Sequence, residues 1–428
     1  GFCYYQSRQK QVTSVMKVQQ STVFKRFLSL ASGSIVGQLA MISVLPIVTR
    51  LYDPADLGLL GAFSATVMIV LPAACLRFDL AIPIPSDDRD AHALAVLGLA
   101  GATVVSVLVW VAIALFESGL SAEFGAVFDR FGWLVPLTLW AASIFSLAQY
   151  FAIRRQRFRA LAIAHATRGG FGAATQVGLG FAGAGPLGLL LGQAVYMGLG
   201  SISLVYSFLS QELTKRQPLD LRFLVATIRR YWRFPVFSVP ESLLNSAASY
   251  LPMLLILSIS GAEVAGLFYL AQRITNIPVG LIGGQLSRVF VGEAPRQLRE
   301  GILFSFTARI MRTLFLVALG PAILGMLFAP SVANAAFGDE WSPVADMLIL
   351  LIPAALLQFC VSPVSTALHV RSRQAISLIL QLGGLFWQIG AVLLCAKTGI
   401  AEPITGFAIG SAIHYAIYSI VVLLAVRN

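Results

Sequence analysis

The chain alternates between long apolar runs and short stretches in which charged residues gather. A helix of about 20 apolar residues matches the hydrocarbon core of a bilayer, which is about 30 Å thick. Strands of a membrane barrel would instead alternate over about ten residues. The runs therefore predict an all-α membrane protein with twelve transmembrane helices. These lie near residues 28–49, 57–76, 93–115, 133–153, 160–181, 186–209, 238–259, 264–287, 313–330, 344–370, 374–396 and 403–426.

The composition agrees with this fold class. With 57% hydrophobic residues, 11% charged residues and a mean hydropathy of +0.82, the chain has too little polar surface for a soluble globule. A net charge of +11 would suggest nucleic acid in a soluble protein, but here the charge follows the membrane topology, and no nucleic-acid partner is expected. The cysteines are scattered without metal-ligand spacing, so neither a metal site nor a disulfide is predicted: Cys3, Cys75, Cys360 and Cys395.

Lysine and arginine are concentrated on one side of the predicted membrane. Of the 30, 24 lie before the first helix or in loops of the same side, as the positive-inside rule expects of the cytoplasm. Both termini are therefore predicted to be cytoplasmic. Residues 1–27 form an N-terminal segment, 28–209 an N-lobe, 210–237 an inter-lobe loop and 238–428 a C-lobe. Met16 is a more natural start, so residues 1–15 are expected to be an extension without a role in the fold.

The loop 210–237 allows two interpretations. It is the natural hinge between the lobes, or its basic residues fix the orientation by resting on anionic headgroups.

A weak internal repeat predicts two similar halves. Residues 45–59 and 251–267 both begin with Leu-Pro and end with Gly-Leu, and a proline follows each. Six helices per half would place the pseudo-two-fold axis along the membrane normal. Prolines inside helices produce kinks, so the prolines of the repeat are candidates for gates or hinges: Pro46, Pro72, Pro252 and Pro278.

Polar residues inside the predicted helices are the functional signal. A charged side chain at the bilayer centre costs about 2.5–3.5 kcal/mol on insertion scales, so such residues usually face a bundle interior or a wet cavity. Guanidinium groups match phosphate oxygens in bidentate geometry, and the excess of arginine over acids predicts a cationic cavity for an anionic substrate. The candidate substrate-binding residues are Arg77, Arg168, Arg273, Gln38, Asn245, Gln272 and Asn276.

Two acids, Glu241 and Asp79, are candidates for coupling transport to H⁺ or Na⁺. Structural alternatives remain open for several of these residues. For Arg77 and Asp79 the alternative is an i,i+2 pair near the inner interface that only fixes helix depth. For Arg168 and Glu241 it is a structural pair between the lobes or within the bundle.

Other polar positions have a simpler interpretation. His92 is expected to be solvated, and His369 and His414 to serve packing or the interface. The glycines of the fifth helix are expected to allow close helix contact. No catalytic residues are predicted.

Three stretches resemble a known family: TRLYDPADLGLLGAFSA from Thr49, LRFDLAIPIPSDDRDA from Leu76, and LPMLLILSISGAEVAGLFYLAQRITNIPVGLIGGQLSRVF from Leu251. They are similar to the Wzx-type oligosaccharide flippases of the multidrug/oligosaccharidyl-lipid/polysaccharide exporter superfamily. The resemblance implies two six-helix lobes around a V-shaped cavity lined mainly by the first, second, seventh and eighth helices.

The same resemblance implies a function and a set of partners. An undecaprenyl-pyrophosphate-linked oligosaccharide would cross the bacterial inner membrane to its periplasmic leaflet, for exopolysaccharide, capsule or O-antigen synthesis. Membrane lipids, and polymerase and chain-length or export proteins of the same pathway, are the implied partners. The resemblance does not identify a definite set of substrate-binding residues in this chain.

Alternating access is the expected mechanism. No nucleotide-binding GxxxxGK[ST] motif occurs and no cofactor is expected, so an H⁺ or Na⁺ gradient or pull by a polymerase remains as the energy source. A multidrug or metabolite efflux antiporter of the superfamily is the first alternative, and it should carry buried acids. A polymerase or acyltransferase is the second, and it should carry a large catalytic outer loop. A flippase for lipid-linked peptidoglycan precursors should have more than twelve helices.

Overall fold

The computed structural model describes residues 33–116, 119, 126–213, 220–371 and 373–427, and these ranges contain helices and no strand. We number the long helices in chain order. They are α1 Gly33–Leu51, α2 Pro54–Ala74, α3 Asp88–Leu115, α4 Leu134–Arg154, α5 Phe158–Phe181, α6 Pro186–Ser210, α7 239–260, α8 262–278, α9 Leu303–Phe337, α10 Pro343–Val361, α11 Gln374–Thr398 and α12 Pro403–Arg427. Short helices are Phe78–Ala81, Ala126–Phe131, Leu221–Tyr231, Gly284–Arg299 and Ala367–Val370.

Ten stretches of the described chain are long and apolar enough to cross a membrane. One of them, Phe234–Gly283, contains both α7 and α8. These are two helices, because the backbone at Gly261 (φ 83°) is not helical. α5 is not among the ten, since polar residues interrupt its apolar surface. The all-α membrane class is thus confirmed, while twelve crossings and cytoplasmic termini remain predictions.

Several predicted boundaries differ from the structure. α9 extends well beyond the predicted 313–330, and residues beyond α8 continue through a five-residue π-helical turn, Val279–Gly283, into the amphipathic helix Gly284–Arg299. The predicted loop 210–237 contains the helix Leu221–Tyr231. This helix was not predicted, because its basic residues lower the hydropathy of a segment whose apolar residues lie along one face. The first residues of the predicted first helix, 28–32, lie outside the described chain, as do residues 1–15.

α2 and α8 cross with their backbones in contact, and the contact is reciprocal. A Cβ atom at Gly58 would overlap the carbonyl oxygen of Ala262, and one at Gly266 would overlap that of Pro54. In the sequence repeat Gly58 corresponds to Gly266, and the residue four positions earlier is Pro54 in one unit and Ala262 in the other. Equivalent positions therefore contact each other crosswise, as expected for two units related by a pseudo-two-fold axis.

Close packing through glycine also joins α1 to α5. Cβ atoms at Gly33, Gly37 and Gly169 would overlap backbone atoms of the facing helix. In α5, Gly172 and Gly180 are similarly enclosed, as predicted, whereas the two remaining glycines face open space.

The buried cores show how the two halves of the chain are associated. One large apolar cluster combines residues of both halves, including Leu60 and Phe63 with Phe268 and Trp341. The Trp341 indole also donates a hydrogen bond of 2.9 Å to the carbonyl of Thr49. We call this region, with the α2–α8 crossing, the joined end.

At the opposite end, the apolar clusters are separate. One is built from buried residues of the first half, such as Phe78, Leu94 and Phe151, and another from the second half, such as Leu303 and Val422. We call this region the split end. The bundle is thus held together at one end and divided at the other.

Candidate functional site

A polar pocket of about 530 Å³ opens among α7, α8, α10, α11 and α12. It brings together three predicted residues, Asn245, Gln272 and Asn276. Uncharged polar and aromatic side chains complete it: Gln358, Gln381, Gln388, Ser411, His414, Tyr250, Tyr415 and Tyr418. None of its described lining residues is Asp, Glu, Lys or Arg. Its volume falls within the range of about 300–1,000 Å³ that is typical of small-molecule sites.

Two lining atoms are buried without a hydrogen-bond partner in the described chain, Gln381 Oε1 and Ser411 Oγ. Buried polar atoms in proteins are normally paired with protein or water. The pocket therefore presents hydrogen-bonding capacity that the protein itself does not use.

His414 stands on one wall of the pocket, against the rings of Tyr415 and Tyr418 at 4.9 and 5.7 Å. Gly384 makes room for it, since a Cβ there would lie 2.7 Å from the imidazole Cε1. His414 thus packs as predicted and lines the pocket as well. The side chain of His369 lies outside the described part of the structure.

An apolar cavity of about 920 Å³ lies beside the polar pocket, among α1, α8, α9 and α10. Its walls are almost wholly aliphatic and aromatic, and they include Pro46 and Pro278. Thr275, Val279 and Ala355 line both spaces. α8 is therefore a wall shared by a polar pocket and an apolar cavity.

Arg273 lies on α8 directly after the pocket residue Gln272. Its guanidinium donates to the hydroxyl of Tyr269 (3.4 Å) and, across the seam between the halves, to the carbonyl of Met41 on α1 (3.5 Å). Both bonds are long for a charged donor. No carboxylate of the described chain pairs with Arg273, so its charge remains available to an anion.

Gln38 on α1 faces the same seam, since a Cβ at Gly280, in the π-helical turn after α8, would lie 3.7 Å from its Oε1. Five of the seven predicted substrate-binding residues are thus gathered around α8: Arg273, Gln38, Asn245, Gln272 and Asn276.

Arg168 lies elsewhere, inside the first half. Its guanidinium stacks over Phe145 (4.5 Å) and Tyr196 (5.1 Å) and donates to the carbonyl of Met197 (3.4 Å). The alternative pair with Glu241 is not formed in the described structure, where Glu241 is exposed on α7. Arg168 is partnered mainly by aromatic rings and the backbone, which keep it away from the polar pocket.

Arg77 and Asp79 lie where α2 ends, and they do not pair with each other in the described chain. Arg77 adopts a left-handed conformation (φ 61°), which separates α2 from the helix Phe78–Ala81. One oxygen of the buried Asp79 accepts a hydrogen bond of 2.6 Å from Ser146, while the other is buried without a partner. The predicted ion pair that would fix helix depth is therefore not formed in the described chain. Asp79 is instead a buried carboxyl group in the first half.

The prolines of the repeat differ in their local effects. Pro46 follows a turn at Val44, and Pro278 precedes the π-helical turn Val279–Gly283. Pro72 lies two residues before the end of α2, and Pro252 is buried within regular helix of α7. The two prolines beside helix irregularities are those that line the apolar cavity.

Sequence reasoning missed some polar residues of the split end. Asp88 at the start of α3 pairs with Arg154 (2.9 Å), the last residue of α4, and with Arg155 (3.1 Å), which follows it. Arg154 also donates to the carbonyl of Pro85. His92, expected to be solvated, is instead buried against Phe151.

The helix Leu221–Tyr231 is attached to the first half by a pair between Arg230 and Asp90 (2.6 Å). Burial, and then the Asp90 carboxylate, raise the pKa of Tyr231.

The pocket glutamines on α10 and α11 were also missed. The available signal was the presence of glutamines within apolar helices. The prediction relied on charged residues and on the opening helices of each half, so it did not include Gln358, Gln381 and Gln388.

Comparisons with known proteins agree with this architecture. A family model described as "Polysaccharide biosynthesis protein" matches residues 47–346. Teichuronic acid biosynthesis protein TuaB of Bacillus subtilis (strain 168) is 26% identical over 196 residues, which cover 45% of this chain and 39% of TuaB. Lipopolysaccharide biosynthesis protein WzxC of Escherichia coli (strain K12) is 24% identical over 196 residues, covering 43% of this chain and 38% of WzxC. The matched region thus spans about two fifths of each relative.

Solved structures share the fold. An inward-facing multidrug resistance MATE family transporter of the MOP superfamily gives a TM-score of 0.65 at 18% identity, covering 94% of both chains. The lipid II flippase MurJ in an inward closed conformation gives 0.67 at 12% identity, covering 96% of this chain and 88% of MurJ. At these identities the similarity concerns the fold alone.

Proposed function

Because this chain belongs to the polysaccharide biosynthesis protein family, with relatives that confirm the Wzx-type resemblance, we propose that it is a flippase for a lipid-linked oligosaccharide. The observation that carries the proposal is the position of α8 between a polar, uncharged pocket and an apolar cavity. A substrate with a glycan at one end and a hydrocarbon chain at the other matches both sides of this wall.

The site suggests a place for each part of such a substrate. Sugars enter the polar pocket, and part of the hydrocarbon chain follows the apolar cavity toward the lipid. The pyrophosphate lies at the seam between α1 and α8, where Arg273 has no carboxylate partner in the described chain and can form bidentate hydrogen bonds with phosphate oxygens. An undecaprenyl-pyrophosphate-linked repeat unit in the bacterial inner membrane is the substrate we propose.

Alternating access fits the arrangement of the two ends. The positive-inside rule assigns the split end, which carries Arg154 and Arg230, to the cytoplasm and the joined end to the periplasm. The structure then corresponds to an inward-facing state of two six-helix lobes. Transport would require the α2–α8 crossing to open and the split end to close, with the helix irregularities beside Pro46 and Pro278 as hinges.

An efflux antiporter has less support from the site. It would bind cations through buried acids, whereas the described lining of the polar pocket holds none. Asp79 is a buried acid, but it lies on the first half beside Ser146. We assign it to ion coupling rather than to substrate binding.

Reconstitution tests the proposed function. Proteoliposomes carrying a polyprenyl-pyrophosphate-linked oligosaccharide should expose it to an impermeant lectin faster with the protein than without it. Arg273→Ala should slow this exposure about tenfold or more, because a charge-assisted hydrogen bond contributes about 1.5–3 kcal/mol. Arg273→Lys should lie between the two, since lysine retains the charge but not the planar fork.

Arg296→Ala is the matched control, because Arg296 is exposed and pairs locally with Glu300. Wild-type protein that exposes no substrate would overturn the function, and an Arg273→Ala variant as fast as the control would remove Arg273 from the site.

A further inference from the structure

The polar pocket is more selective in its chemistry than transport of a lipid-linked glycan requires. Its described lining contains amide, hydroxyl, imidazole and phenol groups but no charged side chain. Arg273 follows Gln272 in sequence, yet it reaches to Met41 across the seam and is not part of the pocket lining. Recognition of charge and recognition of neutral polar groups are thus placed on different sides of α8.

We propose that this pocket binds the uncharged sugar nearest the pyrophosphate, and that Gln381 and Gln388 help to determine which sugar is accepted. The inference rests on the proposed function, because it takes a lipid-linked glycan as the substrate.

The charge of the pocket supports this assignment. A carboxylate that entered it would lose hydration without gaining a cationic partner, which is strongly unfavourable. A neutral sugar that entered the pocket could form new hydrogen bonds in place of those to water. Its hydroxyl groups both donate and accept hydrogen bonds, as do the amides of glutamine and asparagine. The pocket should therefore discriminate against a uronic acid at this position.

The unpartnered atoms support it further. Gln381 Oε1 and Ser411 Oγ are buried and have no hydrogen-bond partner in the described chain, and both belong to the pocket lining. Gln388, itself 8% exposed, lies two helical turns along α11 from Gln381. A sugar hydroxyl that donated to Gln381 Oε1 would supply the partner that the protein does not provide.

The aromatic wall adds a shape requirement. Tyr415 and Tyr418 flank His414, whose ring occupies the space left by Gly384. Tyr250 on α7 adds a further aromatic ring to the lining. Rings with a polar edge and an apolar face suit a pyranose, which also has polar edges and apolar faces.

Two synthetic substrates test the inference in proteoliposomes. Both are polyprenyl-pyrophosphate-linked trisaccharides, one with a neutral N-acetylhexosamine and one with a uronic acid next to the pyrophosphate, and the two outer sugars are identical and neutral. Wild-type protein should expose the first to an impermeant lectin at least about tenfold faster than the second.

Gln381→Ala and Gln388→Ala should each slow the neutral substrate about tenfold, the effect of losing one to two hydrogen bonds. Gln388→Asn should recover part of the rate. Gln297→Ala, on the helix Gly284–Arg299 and outside the pocket, is the matched control and should behave as wild type. Thermal unfolding of each variant shows whether it is folded.

The outcomes separate this inference from the proposed function. Equal rates for the two substrates, or folded glutamine variants that match the control, would overturn the inference while leaving transport intact. A wild-type protein that moved neither substrate would overturn the proposed function and the inference with it.

Discussion

The joined end and the split end of the bundle are built from different contacts. At the joined end, the reciprocal glycine crossing of α2 and α8 brings backbones together, and a single apolar core spans both halves. At the split end each half has its own core, and the ion pairs of Asp88 and Asp90 lie within the first half or join it to the helix Leu221–Tyr231. Well-packed interiors transmit small changes strongly, and the core that spans both halves lies at the joined end. The contrast predicts that the joined end controls the conformational state of the bundle.

The largest effect is expected from Gly58→Val at the crossing. Added methyl groups in a packed site destabilise it by about 1–3 kcal/mol, and here they would meet the backbone of Ala262. The population with a closed joined end should fall about tenfold or more. Nitroxides at Asp53→Cys and Glu263→Cys, both exposed, in a chain whose native cysteines are replaced by serine, should show longer distances by pulsed electron spin resonance.

Gly170→Val is the matched control for that experiment, because no heavy atom lies within 4 Å of a Cβ at Gly170. Its distance distribution should match that of the parent chain. An unchanged distribution in Gly58→Val would show that the crossing does not hold the joined end closed.

A second, smaller effect should arise at Asp79. A proton or Na⁺ would satisfy the carboxyl oxygen that is buried without a partner beside Ser146. Asp79→Asn keeps the shape and removes the charge, so transport in proteoliposomes should continue but lose its several-fold stimulation by an imposed H⁺ or Na⁺ gradient. Glu241→Gln should retain that stimulation, since Glu241 is exposed. The opposite result for the two variants would assign coupling to Glu241.

Hydropathy predicted the helices well because burial in lipid depends on runs of residues, which a sequence shows directly. The Leu-Pro to Gly-Leu repeat also identified the units that cross at Gly58 and Gly266. The break at Gly261 lies between the predicted helices 238–259 and 264–287, so it was predicted as well. The helix Leu221–Tyr231 was overlooked, since a short amphipathic helix and a charged loop have the same composition.

The candidate site was less predictable than the fold. Residue type alone did not show that Arg168 stacks between aromatic rings while Arg273 stays without a carboxylate partner in the described chain. Whether a polar residue faces a cavity depends on the rotation of its helix relative to its neighbours, and that rotation results from packing. Gln381 and Gln388 lie in an apolar stretch of α11, and their convergence on α8 becomes visible with the tertiary structure.

The smallest effect is expected from Arg230→Ala at the split end. Arg230 holds the helix Leu221–Tyr231 to Asp90 at 2.6 Å, and the side chain of Arg230 is 65% exposed while that of Asp90 is 12% exposed. Loss of an exposed ion pair costs about 0–1 kcal/mol, and leaving the largely buried Asp90 without its partner adds to this cost, so the thermal midpoint should fall by a small amount beyond the fall in Arg229→Ala. Arg229 is an exposed neighbour with no ion pair in the described chain, and it controls for loss of charge. A drop comparable to a buried substitution would mean that the split end is as firmly built as the joined end.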